Sequence, residues 1–360
     1  MSDPPLRPPV EPMLAKLTEA IPASGTFIFE PKWDGFRALV FKEGSDIYIQ
    51  SRTKKPLARF FPELLEPMVG QLPSQVVLDG EIVLHREGRL DFEALQMRLH
   101  PARSRVDRLA SETPVAFVAF DLLSHRGQDL RTKPTRDRRA QLEAVASQFR
   151  TPLYLTPATT DRSIAQRWFD RFEGAGLDGV IAKATEQSYQ SKKRAMLKIK
   201  HRHDVDCVVA GFRWHKNGPG KLVGSLLLGL YEGDKLHHVG ITSSFRHEQR
   251  KALAEELEPL RVQPSEAHPW REYASASSDE RRPVAQSRWS QGKDLTWEPL
   301  RIERVVEVSY DHLEGHRFRH AATFRRWRLD RTPESCTYAQ LQTEPPAGLA
   351  TFFEAGDLTA

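Results

Sequence analysis

The chain has 360 residues, 39% of them apolar, with 53 Lys and Arg against 48 Asp and Glu for a formal charge of +5; this is the make-up of a soluble globular protein too long for one ordinary core, so two domains are expected. It has no run of about 18 apolar residues and its proline-rich start, 1–12, lacks an apolar stretch, which excludes a membrane-spanning helix and a secretory leader. Only Cys207 and Cys336 are present, which excludes a disulfide framework or a cysteine zinc site and fits a reducing cytosol.

In chain order, 6–23 reads as an extended lead-in with helical spacing near 13–19. Apolar runs at 27–30 and 36–41 read as strands, joined by Lys32, Trp33, Asp34 and Gly35 in a tight connection. A hairpin at Glu43-Gly44-Ser45 leads into a strand at 47–49 and the basic corner 51–55. Helical spacing follows at 60–69; 76–78 is a buried strand ending in Asp79-Gly80-Glu81; Asp91 caps a helix over 92–99. The most apolar strand of the first half is 117–123, followed by amphipathic helices over 136–149 and 164–172. Another buried strand, 177–183, carries Asp178 at its entry, and 196–200 alternates apolar residues with Lys198 and Lys200. Two lysines on one strand face mark a pocket or a solvated edge, and spacing alone favours the edge.

A break at 201–204 separates a second set of short strands (207–212, 222–231, 236–241 and 301–310) with one helix over 246–257, the pattern of a small barrel. The stretch 262–296 is rich in Pro, Ser, Glu and Arg and reads as an irregular surface insertion. Residues 333–360 read as a loosely held polar tail.

A lysine in a strand turn becomes a nucleophile if Arg37, Glu81, Asp178, Lys198 and Lys200 converge on it. Neighbouring cations and a metal ion would disfavour its charge. The same cations would hold a polyphosphate and stabilise charge on its oxygens, and carboxylates at Glu81 and Asp178 suit a hard divalent cation, Mg²⁺ first and Mn²⁺ as an alternative. Amine, cations and oxygen ligands together describe nucleotidyl transfer to lysine.

KWDGFR, LDGEIV, FVAFDLL, DGVIAK and LKIK, in that order from Glu30 to Lys200, resemble the motif set of the covalent nucleotidyltransferases, specifically the ATP-dependent DNA ligases. The resemblance implies an α+β fold: an adenylation domain of antiparallel sheets with flanking helices over 1–201, then an OB-fold β-barrel domain over 202–332. It implies that Lys32 takes AMP from ATP, Glu30 reads the adenine amino group and Phe120 stacks on the base. Arg37 and Glu81 hold the ribose region, Lys198 and Lys200 the α-phosphate, Arg194 the nucleotide, and Asp178 and Glu81 the metal. Arg52 binds the 5′-phosphate of a nick. Arg326, Arg328, Asp330 and Arg331 resemble the last motif, which orients the departing pyrophosphate when the barrel swings over the nucleotide. Three positions depart from the pattern: Asp178 stands where Glu is usual, Met196 where Trp is frequent, and Arg331 where Lys is usual.

The commonplace alternatives are specific. Asp34 caps a turn, Phe120 is core, Glu81 and Asp178 are turn carboxylates, and Arg52 is a solvated arginine; Arg288 and Trp289 touch DNA or sit on a barrel edge. His312, His316 and His320 recur every four residues, but Gly315 breaks the helix that zinc ligation at this spacing needs. The resemblance favours nick sealing in duplex DNA by a short form similar to the bacterial C-type ligases, acting as a cytoplasmic monomer in repair beside primase-polymerases or Ku. An RNA ligase, a capping guanylyltransferase and a silent nucleic-acid-binding module are the alternatives.

Overall fold

The computed structural model describes residues 6–23, 26–172, 175–263, 265–270, 295–311, 313–341, 349–356 and 358. They form two compact units, Met1–His201 with Thr343–Ala360, and Arg202–Gln342. In order, the first unit contains β1 (Leu14–Thr18), β2 (Phe27–Trp33), β3 (Phe36–Glu43), β4 (Asp46–Ser51), α1 (Leu65–Gln71), β5 (Gln75–Val83), β6 (His85–Arg86), β7 (Arg89–Leu90), α2 (Phe92–Met97), α3 (Arg103–Glu112) and β8 (Ala116–His125). It continues with β9 (Gln128–Asp129), α4 (Thr135–Ala146), β10 (Leu153–Leu155), α5 (Arg162–Arg171), β11 (Leu177–Ala184) and β12 (Arg194–Ile199).

Two sheets carry this unit, in strand orders β1-β12-β11-β2 and β10-β8-β5-β3-β4. Most pairs are antiparallel, while the edge strands β1 and β10 run parallel to β12 and β8. Alternation along β3 assigns its two faces. Ala38 and Val40 enter the core shared with α1, α2 and α4, whereas Leu39 and Phe41 pack with Met196 of the other sheet and with Met13 and Tyr189 from the segments before β1 and β12. Helix α5 covers the outer face of that second sheet through Ala165, beside Phe29, Val180 and Ala182. The helical spacing near 13–19 gives way to β1, because β12 offers its backbone groups in register; the Leu14 amide already donates to the Lys193 carbonyl at 2.8 Å. Helix α2 is capped by Asp91, whose Oδ1 accepts from the Ala94 amide at 2.8 Å, and Asp161 caps α5 in the same way through Ser163. Helix α3 escapes sequence reading because only Val106 on it is buried.

The second unit comprises β13 (His203–Trp214), β14 (Val223–Glu232), β15 (Lys235–Thr242), α6 (His247–Leu257), β16 (Glu298–Pro299), β17 (Val305–Tyr310), β18 (Leu313–Glu314), β19 (Arg317–Phe318) and β20 (Thr323–Trp327). Its main sheet runs β15-β14-β13-β17-β20, and a bridge from Thr242 to Ala322 ties the two edges, with the Ala322 amide donating to the Ile241 carbonyl at 2.8 Å. The result is an OB-type closed sheet around Val208, Phe212, Leu226, Val239, Leu257 and Val306. Strand β20 lacks an apolar alternation, which hides it in the sequence.

Two expectations are corrected. The insertion at 262–296 is not all surface: Trp270 is 1% exposed and its indole N–H donates to the Leu236 carbonyl at 2.8 Å. Residues 271–294, with Arg288 and Trp289, lie outside the described residues. The stretch 333–360 is not a loose tail either. Its first part forms 3₁₀ turns at Pro333–Ser335 and Tyr338–Leu341 in the second unit, and α7 (Ala350–Ala355) belongs to the first, with Leu349 and Phe352 fully buried. The aromatic pair Phe352 and Phe353 supplies the burial that the polar context concealed. No helix of the described residues is long and apolar enough to cross a membrane.

Two glycines are dictated by close approach. A Cβ on Gly35 would stand 2.2 Å from the Ile82 carbonyl oxygen, and one on Gly179 would stand 1.9 Å from that of Ile199, where φ is also +118°. Gly179→Ala is therefore expected to cost roughly 2 kcal/mol or more, the sum of backbone strain and a clash with main chain that cannot rotate away. Urea unfolding monitored by circular dichroism measures it.

Candidate active site

The nucleophile candidate sits where β2 and β11 pair. Leu177 lies opposite Trp33 in the register, so the neighbouring residues Lys32 and Asp178 share the other face. Lys32 Nζ is 2.6 Å from Asp178 Oδ2, and Lys200 Nζ reaches the same oxygen at 2.6 Å. Lys32 also lines a cleft of about 910 Å³ together with Glu30, Arg37, Arg52, Glu81, Phe120, Lys183, Arg194 and Lys198. Burial alone would raise the Asp178 carboxyl, but the two ammonium groups outweigh it and hold it at about 2.

The charge state of the amine corrects an expectation. Burial pulls the Lys32 pKa down, but Asp178, Asp34 and Glu81 outweigh it and the net shift is upward, so Lys32 is an ammonium. The cations predicted to lower it do lie nearby: Lys198 is itself lowered, first by burial and then by repulsion from Lys200 and Lys32. They lose because a carboxylate is in direct contact. Strand β12 lies between β1 and β11, so Lys198 is on an interior strand, not on the solvated edge that spacing favoured.

At the other end of the cleft Glu30 is 3% exposed and its Oε2 is 2.8 Å from Lys183 Nζ, which also donates to the Phe120 carbonyl at 2.7 Å. Burial pushes the Glu30 carboxyl up, and Lys183 and Arg139 only partly offset it. The Phe120 ring is half-buried, with Lys183 Nζ 5.0 Å and Arg37 Cζ 5.3 Å from its centre. Arg37 is held by a fork to the fully buried Asp79, at 2.9 and 2.6 Å, and donates to the Met13 carbonyl at 2.6 Å. Tyr189 completes the network, donating to Asp79 Oδ2 at 2.6 Å and accepting from the Met13 amide at 3.0 Å.

Glu81 differs from its neighbours. Its carboxyl faces the cleft with no hydrogen bond or ion pair among the described residues, and burial raises it to about 8 against the pull of Lys32 and Arg37. A carboxyl facing the cleft without such a partner suits a hard cation. Among the described residues no three His, Cys, Asp or Glu side chains gather as a metal cage. Glu81 and Asp178 are the residues that would hold such a cation.

The second unit gathers the last predicted group. Arg326 donates to Glu307 at 2.8 Å; Arg328 spans Asp206, Asp330 and Glu307; Arg331 Nε lies 3.5 Å from Asp206. The Arg328 side chain is 17% exposed and fully engaged by carboxylates, whereas that of Arg326 is 63% exposed. Of the spaced histidines, His312 lies outside the described residues and His320 pairs with Asp311 at 3.3 Å.

Two family models account for most of the chain: the ATP dependent DNA ligase domain matches residues 12–200, and the ATP dependent DNA ligase C terminal region matches 219–331. The chain belongs to the ATP-dependent DNA ligases. It is 51% identical over 353 residues to DNA ligase C2 of Mycolicibacterium smegmatis, covering 97% of this chain and 99% of that one. It is also 51% identical to DNA ligase C of Mycobacterium tuberculosis over 94% of this chain and 95% of the relative. A solved structure of a Lig E DNA ligase shares the fold, with a TM-score of 0.56 at 16% identity over 88% of this chain and 99% of that one. The protein is thus an ATP-using enzyme that seals nicks in DNA.

Sequence reading of this ligase overlooked Lys183, Asp79 and Tyr189. A lysine closing an otherwise apolar strand was a visible signal for Lys183, and Asp79 stood within a quoted motif. Tyr189 had none, since its partners are 110 and 176 positions away.

Glu81 yields a pH signature. Its folded pKa of about 8 lies above the ordinary 4.5, so between those values the folded chain keeps a proton that the unfolded chain has released, and stability falls as pH rises through that window. Glu81→Gln removes this dependence. The difference in melting temperature between variant and parent, measured with EDTA and without nucleotide, is expected to be small near pH 4.5 and to grow in the variant's favour towards pH 8.5.

Proposed function

We propose that Lys32 is the residue that carries AMP. The observation that bears most weight is its double setting: the amine is 20% exposed at a cleft large enough for a nucleotide, yet in contact with a carboxylate at 2.6 Å. Because the resting amine is charged, it must lose a proton before attack. The Nζ–phosphorus bond then forms as pyrophosphate leaves. In the second step a 5′-phosphate oxygen of the nick attacks the same phosphorus and Lys32 departs as the amine; in the third the 3′-hydroxyl attacks the 5′-phosphate and AMP leaves.

The remaining roles follow from position. Glu30 with Lys183, and Phe120 with its two cations, form the base end, where a buried acceptor favours an exocyclic amino group. Arg37, preset by Asp79, holds the ribose region. Lys198, Lys200 and Arg194 take the nucleotide phosphates, and Arg52, exposed on the cleft wall, takes the 5′-phosphate of the nick. Glu81 and Asp178 would hold Mg²⁺ or Mn²⁺, which supplies positive charge to phosphate oxygens when bound. In the second unit Arg326 and Arg331, with Arg328 and Asp330 bracing them, serve the departing pyrophosphate. We assign the enzyme to DNA repair in the cytoplasm, at the nucleoid, as a monomer working beside primase-polymerase or Ku proteins, on the strength of its likeness to the C-type ligases.

Incubation with ATP or GTP labelled on the α-phosphate, followed by a denaturing gel, tests the reading. ATP is expected to label the parent and GTP to leave it unlabelled, while Lys32→Ala loses the label and keeps its affinity for nicked duplex. A label retained in Lys32→Ala moves the nucleophile elsewhere. Nicked RNA offered in parallel is expected to be sealed far less well than nicked DNA.

A further inference from the structure

The nucleophile has a floor closed by a helix that lies outside both family models. Trp33 follows Lys32 and, by strand alternation, points to the opposite face of the sheet. There it is 4% exposed and its indole N–H donates to Thr156 Oγ1 at 2.9 Å. Its cross-strand partner Leu177, which immediately precedes Asp178, is 5% exposed in the same cluster. The residues flanking both members of the Lys32–Asp178 pair are therefore packed in one small core.

Helix α7 closes that core. Phe352 has no exposed surface and its ring centre is 4.8 Å from that of Trp33. Phe353 lies 6.2 Å from Trp33 and is stacked on His85 at 4.3 Å. Two hydrogen bonds pin the segment: the Tyr154 hydroxyl donates to the Phe353 carbonyl at 3.1 Å, and the Leu349 amide donates to the Gly88 carbonyl at 3.0 Å. The family models stop at residue 331, so nothing in them gives this helix a task.

We propose that α7 positions the nucleophile: Phe352 wedges Trp33 and Leu177 from behind, which fixes Lys32 against Asp178 on the other face. The inference rests on reading Lys32 as the residue that carries AMP. Its physical basis is that a close-packed interior passes a displacement on instead of absorbing it. Emptying the Phe352 site lets the Trp33 segment settle, and a shift of about 1 Å in a reacting group costs on the order of 10²-fold in rate. The loss must be confined to the two steps in which the Nζ–phosphorus bond forms or breaks. Sealing of a nick that already carries AMP on its 5′-phosphate does not use Lys32, so a helix that merely holds the fold together would slow it equally.

The test uses the full-length chain with Phe352→Ala. Single-turnover labelling with ATP is expected to slow roughly 10- to 100-fold at saturating nucleotide, with the half-saturating ATP concentration within about two-fold of the parent. Sealing of a chemically pre-adenylylated nick is expected to stay within about two-fold of the parent, and Phe352→Leu, which refills most of the space, to restore most of the labelling rate. Parent-like labelling in Phe352→Ala overturns the proposal, and so does an equal loss in labelling and in sealing. Should Phe352→Ala fail to fold, Tyr154→Phe removes the hydrogen bond to α7 together with one to Thr151 Oγ1, and Thr151→Val run beside it isolates the second; a few-fold loss in labelling alone that Thr151→Val does not reproduce supports the idea, and no loss, a uniform one or one shared by Thr151→Val refutes it. Lys32→Ala run alongside separates the two readings: a label surviving there condemns the nucleophile assignment, whereas a label lost there but untouched by Phe352→Ala condemns only the role of the helix.

Discussion

One oxygen of Asp178 holds two ammonium groups, those of Lys32 and Lys200, at 2.6 Å each. That contact joins β2, β11 and the end of β12, so the geometry of one sheet is read out directly in the position of the amine. It also decides the charge of the resting site. With a carboxylate in contact, Lys32 is stabilised as the ammonium despite the cations around it, and Asp178 is held ionised. The pair is thus an ion pair at rest. Gly179, one residue beyond Asp178, lets β11 pass the Ile199 carbonyl closely enough for the contact to form.

The base end of the cleft follows a different rule. Glu30, Lys183, Arg37 and Asp79 are buried charges satisfied by one another and by main-chain carbonyls. Such groups are costly to bury singly and tolerable only as a closed network, which gives the walls of the cleft little freedom. Among the described residues Glu81 has no hydrogen bond or ion pair, and burial raises its carboxyl to about 8. The cleft thus sets paired polar groups at Glu30, Lys183, Arg37 and Asp79 against the unpaired carboxyl of Glu81 among the described residues.

The barrel unit obeys the same economy. Asp206 and Glu307, on adjacent strands, collect Arg326, Arg328 and Arg331, of which Arg326 is the most exposed. After this unit the chain returns to the first one, where α7 contributes to the core behind Lys32. The catalytic unit is therefore assembled from both ends of the sequence.

Much of this was legible in the chain itself. Apolar runs bounded by turn residues located most strands and Asp91 announced its helix, because strand periodicity and turn chemistry are local properties; the resemblance of short motifs in a fixed order singled out Lys32, Glu30, Glu81 and Asp178. Three matters were settled only by tertiary packing. Residues 13–19 became a strand because β12 supplied the hydrogen bonds, and Trp270 and Phe352 entered cores that their polar surroundings disguised. The charge on Lys32 was decided by which opposite charge came within 2.6 Å. Periodicity reports how a segment is disposed towards burial, but the partner that satisfies a backbone, fills a void or sets a pKa arrives from a distant part of the chain, and only folding brings it there.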